Sequence, residues 1–443
     1  MPDVKNKWLT FDNFKFQLRI PYVIYADFEC VLPKVSGCLN NPEASSTNII
    51  SKHVPCGYSY LIVGPDGRST QSPKIYRGEN AVSNFLESLL AEAEIISKTL
   101  RKVEKIDMSK EQEQEFQNAV NCHICGKVLG TDRVRDHDHL QKTNNYRGAA
   151  HSTCNLNYQL SWKIPVVFHN LRGYDSHLIV QELGKLKGKR INCIANNMEK
   201  YISFSIEQLQ FLDSLQFLPT SLQKLVENLS PQKFVIIREH FKNDEIPLLL
   251  RKGVYPYEYM DSFKKFNETH LPPREAFFSN ITKEELSVSD YQHAQMVWES
   301  FKLQNLGEYH DLYLKTDCLL LADVFENFRA LCMDFYKLDP CHMFTAPGLA
   351  WQACLRMTQV KMELLTDPTM HLFLEKGIRG GVSMISKRYS RANNKYLSDY
   401  DPTLPSKYIM YFDKNNLYGW AMVQPLPLMN FKWQDPNNMD EKA

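Results

Sequence analysis

Long hydrophobic runs are missing from this sequence. No apolar stretch reaches the roughly 18–20 residues that a membrane-spanning helix needs. The opening Met1-Pro-Asp-Val-Lys-Asn-Lys carries no apolar core of a secretory signal. A soluble, intracellular protein with no membrane partner is therefore expected. An excess of one charge is missing too: 52 Lys+Arg stand against 51 Asp+Glu, a formal net charge of +1. A polyanion partner must then be met by a local basic patch and not by the chain as a whole. Internal repeats and low-complexity segments are absent, which excludes solenoids and linker-like chains. There is no sign of a disulfide frame: the cysteine count of 11 is odd, and Cys30, Cys193, Cys318, Cys332 and Cys354 sit in apolar runs as reduced core thiols would. What remains, 443 residues with 43% hydrophobic and 23% charged, suits a globular protein of roughly two to three domains.

The chain is organised around Tyr22-Val-Ile-Tyr-Ala-Asp27-Phe-Glu29-Cys30. A β-branched and aromatic run ends in two acids one residue apart, and in a strand residues i and i+2 share a face. Asp27 and Glu29 therefore project side by side, and a divalent cation relieves their repulsion. The simpler alternative is an edge strand with two solvated acids. Matching carboxylates further along decide between the two.

Residues 57–63 and 73–77 flank Gly64-Pro-Asp-Gly67 as a β-hairpin, and 81–120 reads as helical. Residues 164–169 form a short apolar strand, and 174–183 a helix with Asp175 in its first turn. A basic run, Lys185, Lys187, Lys189 and Arg190, follows beside the candidate site. Residues 201–206 and 209–213 make a second hairpin, and 214–229 resumes helical spacing. Residues 230–290 show no period. A long helix spans 307–338, and 408–413 reads as a final strand.

Asp175 follows an apolar strand and a turn. Asp317 lies in the long helix with Tyr313 four residues earlier on the same face. The set Asp27, Glu29, Asp175, Asp317 and Tyr313 suits two-metal phosphodiester hydrolysis, with two Mg²⁺ ions about 3.5–4 Å apart. Asp27 is expected to bridge both ions, Glu29 and Asp317 to hold the hydrolytic one, Asp175 the other, and Tyr313 to orient the attacking water. Asp27-Phe-Glu29, Phe168-His-Asn-Leu-Arg-Gly-Tyr-Asp175 and Tyr313-Leu-Lys-Thr-Asp317 resemble the three exonuclease motifs of family B DNA polymerases. More specifically they resemble the protein-primed branch, which includes the Maverick/Polinton transposon enzymes. That resemblance implies an RNase H-like fold, 3′→5′ proofreading of single-stranded DNA ends, and contact of Asn170 and Tyr174 with the primer end. Asp213 also resembles a family position near the site, with a helix N-cap as the simpler reading.

Cys122-His-Ile-Cys125 and His151-Ser-Thr-Cys154 supply four N/S ligands, the tetrahedral requirement of structural Zn²⁺. Between them, Asp136-His-Asp-His139, with Asn155 beyond, looks like the ββα-metal fold of recombination endonuclease VII. That likeness implies a catalytic ion on Asp136 and Asn155, water activation by His139, and phosphate contacts from Arg133, Arg135, Lys142 and Arg147. A purely structural zinc module is the preferred reading.

Tyr411-Phe-Asp413-Lys-Asn-Asn-Leu-Tyr418 resembles the first palm motif of the same polymerases, which places Asp413 on the catalytic metals and Tyr418 under the incoming sugar. Ile378-Arg-Gly380-Gly381 resembles the template-binding linker motif, so Gly380 and Gly381 join the DNA-binding set. No further palm motif follows Asp413, so nucleotide addition is not expected from this chain alone.

The expected fold is thus α/β. An RNase H-like exonuclease domain occupies 1–120 and 161–340, interrupted by a zinc-binding insertion at 121–160. A helical connector and the start of a palm occupy 341–443. The expected protein is the N-terminal part of a DNA-directed DNA polymerase (a nucleotidyltransferase of DNA replication). Its partners would be single-stranded 3′ ends, primer-template DNA and a terminal priming protein, in the nucleus or at a viral or element replication site. The alternative is a non-enzymatic DNA-binding protein derived from a mobile element that keeps the zinc module.

Overall fold

The computed structural model describes residues 1–35, 51–197, 200–280, 283–378 and 384–435. It divides into two compact units, residues 12–357 and residues 1–11 with 358–443.

The larger unit is built on a seven-stranded mixed sheet. In chain order the strands are β1 (Val23–Val31), β2 (Val54–Val63), β3 (Lys74–Arg77), β4 (Ile164–Phe168), β5 (Ile191–Ala195), β6 (Tyr201–Ile206) and β7 (Leu209–Asp213). Their spatial order is β3-β2-β1-β4-β7-β6-β5. β1 pairs with β4, and β4 with β7, in parallel, while the other pairs are antiparallel. β1 is buried from Val23 to Ala26, as expected of a central strand covered on both faces.

Strand alternation divides its side chains. Ile24, Ala26 and Phe28 turn to one face, where they join Tyr58 and Tyr60 of β2, Val166 and Phe168 of β4, and helices α1 (Ala81–Leu100) and α2 (Asp175–Leu183). Phe85 of α1 centres this core, with its ring edge-on to Phe28 at 4.8 Å and Tyr58 at 5.1 Å. The opposite face meets α3 (Leu306–Tyr336): Tyr25 meets Phe325 edge-on at 6.2 Å, and the Cys318 thiol donates to the Tyr25 carbonyl at 3.2 Å. A buried Arg329 anchors α3 through Glu326 at 2.7 Å and Asp339 at 2.5 Å, and the Tyr25 hydroxyl donates to Glu326 at 2.5 Å.

Three sequence expectations change. The helical stretch 81–120 is two helices, α1 and Lys110–Asn118, the second opened by a capping box between Ser109 and Gln112. Cys30, Cys318 and Cys332 are buried, but Cys193 and Cys354 are exposed. Residues 408–413 form no strand: no described residue offers them a ladder, and Tyr411 and Phe412 are 89% and 81% exposed.

The smaller unit pairs Trp8–Leu9 antiparallel with Met362–Glu363, fastened by Lys7 and Glu363 at 2.6 Å. Its helix Pro368–Gly377 is capped by Asp367, which also accepts from the Trp433 indole at 3.0 Å.

Candidate active site

The parallel strands β1 and β4 carry their C-terminal ends to the same edge of the sheet, and the cleft lies there. It encloses about 370 Å³ and is lined by Asp27, Glu29, Asn170, Tyr174, Asp175 and Lys252, among others. Asp27 and Glu29 leave β1 on the α3 face. α2 begins at Asp175, immediately after the turn that follows β4, and α3 brings Tyr313 and Asp317 from above. The five residues predicted from sequence are thus brought together. Gly57, paired with Glu29 across β1 and β2, lets α3 approach: a Cβ there would lie 2.6 Å from His310 Nε2 and 3.1 Å from Leu314.

The carboxylates repel one another inside a poorly solvated cleft. Burial, then the charge of Asp317, pushes the Asp27 carboxyl up to about 7. Burial and Asp27 push both Glu29 and Asp175 well above the usual carboxylate range. Burial raises Asp317 as well, opposed by Lys252 and by the Tyr313 hydroxyl. One oxygen of Asp175 and one of Asp317 are buried with no hydrogen-bond partner among the described residues. Buried orphan acceptors are uncommon in folded proteins, and carboxylates with unpartnered oxygens and raised pKa values are the donor type that hard divalent cations take.

Sequence reasoning missed Lys252, whose ammonium stands 3.6 Å from Asp317 and is held charged by that carboxylate against its burial. It also missed the aromatic cradle of Tyr313. Tyr255 stacks on the Tyr313 ring at 4.8 Å, and the Tyr257 and Tyr313 hydroxyls share a hydrogen bond of 2.5 Å. Gly253 passes so close that a Cβ would lie 2.7 Å from the Tyr313 ring. These residues come from the aperiodic stretch 230–290, where the one visible signal was a lysine amid three tyrosines.

The turn after β4 is fixed from β7. Asp213 accepts from the Asn170 amide at 2.9 Å, from the Arg172 amide at 3.1 Å and from Leu215 at 3.1 Å, capping the short helix that follows. Asp213 is therefore both N-cap and loop anchor. Asn170 is exposed at the cleft mouth with φ of 73°. Tyr174 bonds His53 through its hydroxyl at 2.7 Å.

Away from the cleft, Cys122, Cys125, His151 and Cys154 bring four ligand atoms within 4.8 Å of one another, the one donor cluster that tight among the described residues. His151 Nδ1 lies 3.5 Å from Cys125 Sγ and 3.7 Å from Cys154 Sγ, while Nε2 faces the Val128 carbonyl at 3.0 Å. That bond commits Nε2 to donation and leaves the Nδ1 lone pair to face a metal, with the ring held in place by the Val128 carbonyl. Burial would raise the Cys122 thiol, but backbone amides of Cys125, His151 and Ile124 outweigh it and bring it to about 6.

The endonuclease-like residues are placed differently. Asp136 is buried in a bidentate pair with Arg147, both contacts 2.9 Å, and lies 3.0 Å from His123. Arg133 donates to carbonyls of Phe116, Gln117 and Ala119, and Arg135 pairs with Glu113. The cations expected on phosphate are thus largely engaged within the protein. The His139 ring lies 4.7 Å from His137, and burial lowers its pKa; Asn155 sits in the short helix Ser152–Asn157.

In the smaller unit Asp413 and Tyr418 are exposed, Tyr418 at the start of helix Leu417–Met422. Gly380 and Gly381 lie outside the described residues. The family model described as "DNA polymerase type B, organellar and viral" matches residues 161–443, a segment that holds Asp175, Tyr313, Asp317 and Asp413 and begins after Cys154. No curated protein matches the chain.

Proposed function

Because the chain belongs to the organellar and viral type B DNA polymerases, a family of DNA-directed polymerases acting on DNA, we propose that its cleft is a two-metal 3′→5′ exonuclease site for single-stranded DNA ends, carried on an RNase H-like sheet. The observation that carries this reading is the convergence of Asp27, Glu29, Asp175 and Asp317 with two orphan buried oxygens. The sheet order, with β1 between antiparallel β2 and parallel β4, supports the RNase H-like assignment.

Asp27, Glu29, Asp175 and Asp317 would hold two divalent cations, which when bound supply water activation and charge stabilisation at the leaving oxygen. Tyr313, clamped by Tyr255 and Tyr257, holds its hydroxyl in one direction and orients the attacking water. Lys252 offsets the charge of Asp317 and opposes the rise that burial gives its pKa. Asn170 and Tyr174, at the mouth, position the terminal nucleotide. The zinc knuckle closes the excursion between α1 and β4 as a structural clamp. The commitment of Asp136 to Arg147 favours that role over DNA cleavage. Asp413 and Tyr418 are the polymerase-site residues of this reading, and a terminal priming protein its further partner.

The test is digestion of 3′-labelled single-stranded DNA by the chain and by an Asp27→Ala, Glu29→Ala variant. Mg²⁺-dependent release of mononucleotides, reduced at least about 100-fold in the variant, is expected, since loss of the ions removes several kcal/mol of transition-state stabilisation. Equal and negligible digestion by both would favour the binding-protein alternative.

A further inference from the structure

The carboxylates occupy one end of β4; the other end has a different character. Three segments finish there: the last turn of α1, the approach to β4 through Trp162 and Lys163, and the Lys189–Arg190 loop that enters β5. Five residues of strand, at about 3.3 Å each, separate this edge from the cleft, roughly 16 Å. The basic run around Lys189 is therefore at the far end of the sheet from the carboxylates, not beside them as its position after α2 suggested.

Trp162 is 59% exposed, with Lys163 Nζ 4.3 Å from its ring centroid. It stands at the junction of two grooves. One, of about 320 Å³, is lined by Ser97, Leu100, Arg101 and Gln208. The other, of about 360 Å³, shares Leu160, Ser161 and Trp162 with the first and runs on past Asn157 and Gln210 to Lys15. Arg190 acts on Lys163, whose pKa burial and that guanidinium both lower, and Lys189 acts on Glu94, the partner of Lys98 at 2.9 Å. Arg101 shares a groove with the indole, Lys163 lies over it and Arg190 stands by Lys163, opposed by Glu207, while Lys98 and Lys189 gather at Glu94 on α1. Glu207 already accepts from the Arg190 amide at 2.9 Å, and its own carbonyl accepts from Lys163 at 3.0 Å.

A row of cations tracks phosphates, and an exposed aromatic ring among them stacks a base. Gln208, Gln210 and Asn157 add neutral amides able to meet base edges. We propose that this edge is a second nucleic-acid surface that binds an unpaired strand, with phosphates on Arg101, Lys163 and Arg190 and a base stacked on Trp162. An acidic polypeptide would meet the same charges but has no use for the indole.

The test uses the full chain carrying Asp27→Ala and Glu29→Ala, without added Mg²⁺, so that neither digestion nor the nuclease reading bears on the outcome. A short oligothymidylate containing 5-iodouracil is photocrosslinked, and the adducts are mapped by mass spectrometry of peptides. Crosslinking at Trp162 is expected, with half-maximal yield shifting about tenfold to higher oligonucleotide concentration in Arg101→Glu, Arg190→Glu, and its salt slope falling by about 1.4 for two lost phosphate contacts. In Trp162→Ala the affinity of this edge, read by crosslinking at neighbouring residues 158–163, is expected to fall about tenfold. Circular dichroism melting verifies that these surface variants stay folded. Absence of adducts at 158–163 overturns the proposal. So does competition by polyglutamate at equal charge concentration with no effect of Trp162→Ala, which would assign the face to an acidic protein.

Discussion

At Asp27 the chain pays for its chemistry in the absence of metal. The folded carboxyl titrates at about 7, well above an unfolded aspartate near 3.9. Since the folded state holds the proton more tightly, stability from this group is fullest below about pH 4 and is lost as pH rises towards 7. Asp27→Asn, which cannot ionise, is therefore expected to melt higher than the parent without added Mg²⁺ at pH 8 and to match it more closely at pH 4. Mg²⁺ should reverse the order, raising the parent by about 2.7 kcal/mol at 100 times its Kd and the variant by much less. Calorimetry at the two pH values, with and without Mg²⁺, checks it; a variant no more stable than the parent at pH 8 in the absence of Mg²⁺ would count against a repelling cluster. The acids were legible in the sequence because each sat in a periodic element that fixed its direction: Asp27 and Glu29 on a strand, Tyr313 and Asp317 on a helix. Lys252, Tyr255 and Tyr257 were not, because their positions depend on tertiary packing of a segment with no period. A buried lysine announces itself only through the carboxylate it meets.

Helix α3 and strand β2 meet without room for a side chain at Gly57. Gly57→Val would place carbon 2.6 Å from the fully buried His310 ring, which cannot withdraw, and would push α3 off the sheet. The expected cost is about 1–3 kcal/mol, seen as a lower melting temperature, together with slower DNA digestion because Tyr313 and Asp317 ride on the displaced helix. Gly184→Ala, where nothing lies within 4 Å, should be neutral on both measures. Most elements were readable from hydrophobic period: the two hairpins, β4, α2 and the long helix, observed as Leu306–Tyr336. The breaks were harder. The split of 81–120 was written in the Ser109 to Gln112 capping box, a signal that helical spacing overrode. Strand β5 escaped because all five of its residues are exposed on a sheet edge, so burial left no alternation to read.

On the scale of the molecule, the knuckle has its own small core of Phe116, Ile124, Leu129 and Ala149, separate from the clusters on the two faces of the large sheet. Removing one ligand should consequently unfold it locally. Cys125→Ser is expected to lose bound zinc by elemental analysis and to speed amide exchange from about residue 119 to 158, while exchange in β1, β4 and α3 stays protected. Exchange rising equally throughout would show that the knuckle supports the sheet itself. Its ligand spacing was plain in the sequence, whereas the pairing of Asp136 with Arg147 was not, since two residues eleven apart meet only once the hairpin Val134–His137 and Tyr146–Ala150 has folded.

The helix that roofs β1 and β2 is also among the last parts of its unit to be synthesised. Asp27 and Glu29 leave the ribosome early, on a strand whose other face can already be covered by α1. Tyr25 and Cys56, on the roofed side, stay bare until α3 is translated and docks. Until α3 is translated a growing polypeptide therefore carries an incomplete cation site and a sticky sheet face, which makes it a natural client for chaperones. It also means that the carboxylate set cannot assemble before α3 has left the ribosome, and so cannot act on nucleic acid until then.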